Sequence, residues 1–346
     1  MLKKKYKISA LLICSLLFVN TIFCQKSKKE FKREKRIEKQ IKNDLKANNK
    51  VDSNYIELLP KDKILIGIQG GGVDNRYILR DNKNKKYYAL SSSIIPSAGV
   101  HFKYKRLPTI SFSLPLNLIV KNSPFITKGY NFGLHFQPSR LLIFDMYMFQ
   151  INGLKLDNIN TNDTLQTYHG SNTFNLNMEM FFVFNNAKFS YKNAYLAGEI
   201  QKKSAGSVAL GISYSFFNQK NEDKLFTSNL DLYKTLNYEK IWGFSLASML
   251  GYMHTFVISK HWYIGAGLFY GPNLHFGKKW YNSSEKDKGY FNVSSTIKAK
   301  FATGYNSKKV LVKLIAHGGF YGYKPLKKNA FNNYISDFRL SITYII

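Results

Sequence analysis

Residues 208–216 read Val-Ala-Leu-Gly-Ile-Ser-Tyr-Ser-Phe. Val208, Leu210, Ile212, Tyr214 and Phe216 share one face of an extended chain, and Ala209, Gly211, Ser213 and Ser215 share the other. Side chains alternate across a strand, so a period of two marks a β-strand with one apolar and one polar face. Residues 98–105 repeat the pattern, with Val100, Phe102 and Tyr104 against His101, Lys103 and Lys105. So do residues 110–118, where Ile110, Phe112, Leu114, Leu116 and Leu118 oppose Ser111, Ser113 and Asn117. At the C-terminus Phe338, Leu340, Ile342, Tyr344 and Ile346 oppose Asp337, Arg339, Ser341 and Thr343.

Twelve such segments follow from Lys61 onward, at about 63–70, 96–105, 109–119, 129–137, 139–151, 171–184, 205–217, 240–257, 261–276, 289–305, 308–322 and 334–346. Many exceed the ~5–6 residues of an average soluble strand and reach the roughly 9–11 that a tilted strand needs to cross a bilayer. Trp242 and Phe256 mark two ends of one segment, and Trp262 and Tyr270 two ends of the next, as interfacial aromatic girdles require. Connections alternate. Short ones lie at Lys105–Pro108, Gln137–Ser139, Ile258–Lys260 and Asn306–Ser307, and long ones at 71–95, 120–128, 152–170, 218–238, 277–288 and 323–333. Short turns on one side and long loops on the other are the rhythm of an outer-membrane barrel. The fold expected is therefore all-β, an antiparallel transmembrane β-barrel of about 12 strands, within 10–14, preceded by a short basic N-terminal helix. Alternation also fits a soluble sandwich or a lipocalin-like barrel with its apolar face inward. Strand length and loop rhythm point to the membrane.

The ends of the chain support export. Lys3, Lys4, Lys5 and Lys7 precede an apolar run over 8–23, the layout of a signal peptide. Cleavage between Cys24 and Gln25 is expected; lipidation at Cys24 competes, against Phe23 where a lipobox takes a small residue. Cys14 and Cys24 are the only cysteines, so no disulfide framework or cysteine nucleophile is available beyond the leader. The organisation expected is signal peptide over 1–24, a basic and partly helical periplasmic leader over 25–60, and the barrel over 61–346. Residues 26–50 hold 11 basic and 4 acidic side chains, with Ile37, Ile41 and Leu45 on one helical stripe.

Composition narrows the function classes. The chain of 346 residues carries 51 Lys+Arg against 21 Asp+Glu, a formal charge of +30, with 45% apolar and 16% aromatic residues. No apolar run after residue 25 is long enough for a helical span. The charge suits outer-membrane lipid and lipopolysaccharide phosphates as partners rather than nucleic acid, which needs an aromatic platform in a basic groove. Lys103, Lys105, Lys298, Lys300 and Lys313 are the lumen candidates, and they motivate a passive pore with anion preference. Gly70-Gly71-Gly72 lacks a Walker lysine and reads as a loop. No metal-ligand spacing or nucleophile elbow occurs, so no cofactor, metal site or catalytic set is expected. His101, His135, Asp145, Glu179, His317, Asp337 and Arg339 are the polar-face residues from which a lipid-modifying barrel would have to assemble a cross-strand site. A non-conducting structural or assembly barrel that docks a periplasmic protein is the further alternative.

One turn breaks the rhythm. Residues 185–204, Asn-Asn-Ala-Lys-Phe-Ser-Tyr-Lys-Asn-Ala-Tyr-Leu-Ala-Gly-Glu-Ile-Gln-Lys-Lys-Ser, stand where a tight periplasmic turn belongs. Phe-Asn-Asn-x-Lys-Phe-Ser-Tyr at 184–191, Gln-Lys-Lys-Ser-Ala-Gly-Ser at 201–207 and the leading Asp52-Ser53-Asn54-Tyr55-Ile56 resemble the family catalogued as domain of unknown function 4421, found in exported proteins of Gram-negative bacteria. The resemblance covers about residues 50–346. It implies the fold and the location and transfers no activity. Ala194–Leu196 departs from the more polar stretch expected of the family. Lys188, Tyr191, Glu199, Lys202, Lys203 and Ser204 are the candidate periplasmic-mouth residues. The insert has two possible roles: a plug in the barrel mouth with Lys202 and Lys203 as part of a cationic ring, or an edge where both lysines snorkel to lipid phosphate. The second is the plainer expectation.

Overall fold

A strand that crosses lipid must pair both its edges, and only a closed ring of strands allows this. The computed structural model shows such a ring. It describes residues 51–59, 63–81, 86–92, 95–104, 109–115, 128–158, 163–221, 238–281, 288–323 and 331–346, all within one compact unit spanning Asn49–Ile346. The signal peptide, the leader helix and Lys105 lie outside the described residues.

The elements run β1 (Ile56–Leu58), β2 (Ile64–Asp81), β3 (Lys86–Ser91), β4 (Ile95–Tyr104), β5 (Thr109–Pro115), β6 (Lys128–Phe136), β7 (Leu142–Asn158), β8 (Asp163–Val183), helix α1 (Tyr191–Tyr195), β9 (Glu199–Gln201), β10 (Ala205–Asn221), β11 (Tyr238–Val257), β12 (Trp262–Tyr281), β13 (Lys288–Asn306), β14 (Val310–Tyr323) and β15 (Phe331–Ile345). Twelve strands close antiparallel in the order β2-β4-β5-β6-β7-β8-β10-β11-β12-β13-β14-β15, and β15 pairs back onto β2 from Phe331↔Leu79 to Ile345↔Leu65. They match the twelve alternating segments one for one.

The other three strands are not visible in the alternation. β1 and β9 form a two-stranded sheet of their own. Residues 51–59, grouped with the leader by composition, therefore hold a strand. β3 pairs β2 over Arg76–Asp81 and β7 over Lys155–Asn158, sealing the wall at the long-loop end of β7 while β6 pairs β7 below it, over Lys128–Phe136. Several of the twelve strands also run past the expected ends, to 21 residues in β8 and 20 in β11 and β12. In β8 the added length is Asp163–Gly170.

Which face points outward decides the environment. In β10, Ala209, Ser213 and Ser215 are buried, while Val208, Leu210 and Ile212 are exposed. Around the ring the exposed side chains include Ile68, Val100, Leu250, Leu268, Val293 and Leu340, and the buried ones Asn175, Asp145, Glu179, Lys298 and Lys300. Polar inside and apolar outside inverts a soluble barrel and matches a transmembrane one. Among the described residues no helix is long and apolar enough to cross a membrane; strands do the crossing. Phe216, Phe244, Phe276 and Phe291 are direct partners in one row across four strands. Trp262 packs on Tyr305 at the short-turn end, ring centroids 5.5 Å apart. Trp262 to Phe276 covers roughly 35 Å of barrel axis at about 3.3 Å per residue and ~40° tilt, enough to frame an apolar band. Tyr270 sits between these rows on the lipid face, not at a strand end.

Gly70–Gly72 lie within β2, against the loop expected for them. Their lumen-side spacing makes room for large polar groups. A Cβ on Gly67 would stand 2.3 Å from the His101 ring, and one on Gly71 2.1 Å from the Phe338 carbonyl oxygen and 3.0 Å from Arg339 Cγ.

Leu250 is 63% exposed near the middle of β11. Leu250→Arg is expected to cost about 2–4 kcal/mol when unfolding is followed in lipid vesicles, the range for a cation on the lipid face near the midplane. A water-facing site would show almost no change.

Candidate functional site: a plug pinned to a charged bore

The insert between β8 and β10 folds into the bore from the short-turn end, against the edge position expected for it. Ser190 caps α1 by accepting from the Asn193 amide at 3.0 Å. Tyr191, Asn193, Ala194 and Tyr195 are buried. Ala194 meets the wall at Gly265 and Ala302, where small residues let the helix approach: a Cβ on Gly265 would lie 3.0 Å from that of Ala194. Phe189, Tyr191 and Tyr195 join Ile143, Phe181, Met249, Met253 and Phe269 in one apolar cluster. This is why Ala194–Leu196 is apolar: the segment packs on a wall.

The residues that carry the family resemblance hold this plug in place. Asn185 Nδ2 donates to the Gly206 carbonyl at 2.8 Å. Gln201 Oε1 accepts from the Ser190 amide at 2.8 Å, and its Nε2 donates to the Lys188 and Lys203 carbonyls at 2.6 and 2.9 Å. Glu199, buried, takes a 2.7 Å bond from Arg140 Nη1 and a 2.5 Å bond from Ser190 Oγ. Gly198 turns the chain at φ +117°, a region favouring glycine. β1 then zips onto β9, with Ile56↔Gln201 and Leu58↔Glu199.

Lys202 and Lys203 do not form a ring in the bore. Both are exposed; Lys202 Nζ donates to the Ser53 carbonyl at 2.9 Å, and Lys203 stands with Lys188 over the Tyr55 ring at 5.7 and 5.1 Å. Ser204 is exposed and accepts from the Val257 amide at 2.9 Å.

Three of the lumen candidates, Lys298, Lys300 and Lys313, are buried inside the barrel, and Lys103 is partly buried. Lys313 Nζ donates to the Lys192, Asn193 and Leu196 carbonyls, and Lys103 Nζ to Ala197 at 2.9 Å. They neutralise the C-terminal end of α1, whose last carbonyls lack partners within the helix.

Lys298 and Lys300 enter a wider network. Lys298 pairs with Glu179 and donates to Ser213 Oγ at 2.7 Å. Lys300 Nζ lies 3.2 Å from Glu179 Oε2 and 3.0 Å from Asp145 Oδ2. Tyr191 Oη donates to the same Asp145 oxygen at 2.5 Å and accepts from Lys300 at 3.0 Å. His135 Nδ1 meets Asp145 Oδ1 at 3.2 Å, and Arg339 reaches His135 Nε2 at 3.5 Å. Arg339 pairs with Asp337 at 3.1 Å, and His317 with Asp337 at 3.3 Å. β7 and β13 are not neighbours in the sheet, so the Lys300–Asp145 pair spans the bore rather than a strand pair. Three acids, Asp145, Glu179 and Asp337, face three permanent bases, Lys298, Lys300 and Arg339. Burial keeps the Tyr191 hydroxyl protonated well above the ordinary phenol range, and the Asp145 charge adds to this.

Sequence parity found the inward faces but not this connection, because the partners come from β6, β7, β8, β13, β14, β15 and α1. The His–carboxylate pairs lie inside the bore, not on a lipid-facing rim. Among the described residues no group of three or more His, Cys, Asp or Glu side chains is arranged to hold a metal.

A family model described as "Domain of unknown function (DUF4421)" matches residues 50–345. The chain belongs to this family. Its quoted motifs are therefore the plug and the plug's attachment. Among curated proteins, none matches the sequence. The outer membrane protease OmpT of Escherichia coli is similar at 8% identity over 83% of this chain and 98% of that one, TM-score 0.36. The translocator domain of the autotransporter NalP from Neisseria meningitidis is similar at 8% identity over 91% and 95%, TM-score 0.32. The Pseudomonas putida toluene transporter TodX is similar at 7% identity over 82% and 89%, TM-score 0.29.

Lys300→Met leaves Asp145 buried beside one fewer cation and is expected to cost about 3–5 kcal/mol. The urea midpoint of the heat-modifiable folded form measures it. Adding Asp145→Asn to Lys300→Met should recover part of the loss, since the stranded charge goes.

Proposed function

We propose that the protein is a gated passage in the outer membrane of a Gram-negative bacterium, exported by its signal peptide and closed at rest by its own insert. The observation that carries this is a cleft beside the plug. Two adjoining clefts, of about 90 and 60 Å³, share Ser111, Tyr147, His317 and Arg339 in their linings. The larger is lined by the ion network, and the smaller runs between α1 and the wall of β4, β5, β14 and β15. Small polar solutes fit such a cleft; larger ones need the plug moved. An open, strongly anion-selective pore fits less well, because the network balances its permanent charges three against three. We assign no catalytic role: Asp145 and Asp337 are both occupied in bridging cations and histidines. Outer-membrane lipid and lipopolysaccharide surround the apolar wall in this reading. Exposed Lys188, Lys202 and Lys203 at the short-turn end offer a periplasmic protein a basic surface, and no nucleic acid is involved.

Glu199 is the latch to test, because it joins the plug cap to Arg140 on the wall. In planar bilayers the wild type should give rare, small conductance steps with reversal potentials showing weak charge preference. Glu199→Ala should raise the open time and step size several-fold. Large steady wild-type conductance, or none in either protein, would overturn the gated reading.

A further inference from the structure

The geometry points to a binding site for a compact oxyanion, phosphate or carboxylate, in the smaller cleft, between α1 and the wall. The inference rests on the cleft read above as the passage, and gives that passage a ligand class.

The balance of the central network does not extend into this cleft. Its lining holds Lys313, Arg339, His101, His135 and His317, and a single carboxylate, Asp145. Asp145 is already engaged by Lys300, Tyr191 and His135. Lys313 gives its hydrogen bonds to neutral carbonyls, so they solvate its charge without cancelling it. Lys103 does the same one turn of chain away, at the Ala197 carbonyl. Lys313 is thus a buried ammonium on the cleft lining, solvated by carbonyls and paired with no carboxylate. Burying uncompensated charge is costly, and an anion in the cleft removes that cost.

Two buried imidazole nitrogens on the lining also have no partner: Nδ1 of His101 and Nε2 of His317. His101 is 8% exposed, and its other nitrogen is 2.7 Å from Thr343 Oγ1. In the tautomer in which Thr343 donates to Nε2, Nδ1 carries the proton and has no acceptor within the protein. Buried donors are normally satisfied, so that tautomer leaves a cleft-lining residue in want of an acceptor. Gly67 opens the space that the His101 ring occupies, since any Cβ at that position would strike it. Arg339 contributes a planar donor fork suited to oxyanions. Lys313, Arg339 and the three imidazoles outnumber the one engaged carboxylate on this lining, the charge balance an oxyanion site requires.

The test is equilibrium dialysis of the full-length folded barrel in detergent micelles against radiolabelled inorganic phosphate and, separately, acetate. Saturable one-site binding of phosphate is expected, weakened about tenfold in Lys313→Gln, which removes a positive charge beside the cleft, and in His101→Gln, which removes an imidazole from its lining. Acetate bound in place of phosphate would support the site and assign it to carboxylates. No saturable binding of either, or undiminished binding in both folded variants, would overturn it. If the variants fail to migrate as folded barrels, wild-type protein alone decides: phosphate should slow diethyl pyrocarbonate modification of His101, and an unchanged rate overturns the proposal. A barrel that conducts but binds neither anion removes this inference and leaves the passage; one that binds phosphate but never conducts does the reverse.

Discussion

The hydrogen bond from Tyr191 to Asp145 is the contact on which the interior depends. It joins a helix that belongs to no wall strand to a carboxylate on β7, and Lys300 on β13 closes the triangle from the other side of the bore. Inside a barrel in lipid, water is scarce and charges must be matched by other side chains. A lone Asp145 in that position would be untenable; a lone Lys300 equally so. The plug tyrosine and the lysine satisfy the same oxygen, so plug position and bore electrostatics are one problem with one solution.

That arrangement follows from the membrane. Lipid requires an apolar outer face and full pairing of the backbone, which drives every polar side chain of the twelve strands inward. Side chains from opposite walls meet, and the interior becomes a network rather than an open tube. The insert then fills the end where the wall is lined by small residues, Gly265, Ala302 and Ala205. It leaves a cleft on the opposite side, where β2, β4 and β15 carry glycines and hydroxyls. Asymmetry of side-chain size around the ring thus decides where the plug sits and where space remains.

The short-turn end is tied by three separate devices: the Arg140–Glu199 pair, the lysines capping α1, and the β1–β9 sheet. The last connects the plug directly to the chain that precedes the barrel. Polar latches at the rim and an apolar cluster of sixteen buried residues inside hold the plug together.

Much was legible in the chain itself. Twelve alternating segments gave twelve barrel strands because lipid imposes period two wherever a strand crosses it. The insert at 185–204 stood out because it occupied the place of a tight turn. What alternation left out was equally physical. Gly70–Gly72 carry no side chains to alternate, so they look like a loop although Gly70 and Gly72 pair with the outward Leu340 and Phe338. Parity places Lys298, Lys300 and Lys313 inside but says nothing of what they meet there. Charge counting made them an anion-selective lining; the folded ring set Lys298 and Lys300 against Glu179 and Asp145, and Lys313 against helix carbonyls. Those partners are separated by 119, 155 and 117–121 positions in the chain. The sequence by itself determined which side chains share a face, since that depends only on neighbours two residues apart. Only closure of the barrel decided which charges meet across the bore, because that depends on strand order and register around the whole ring.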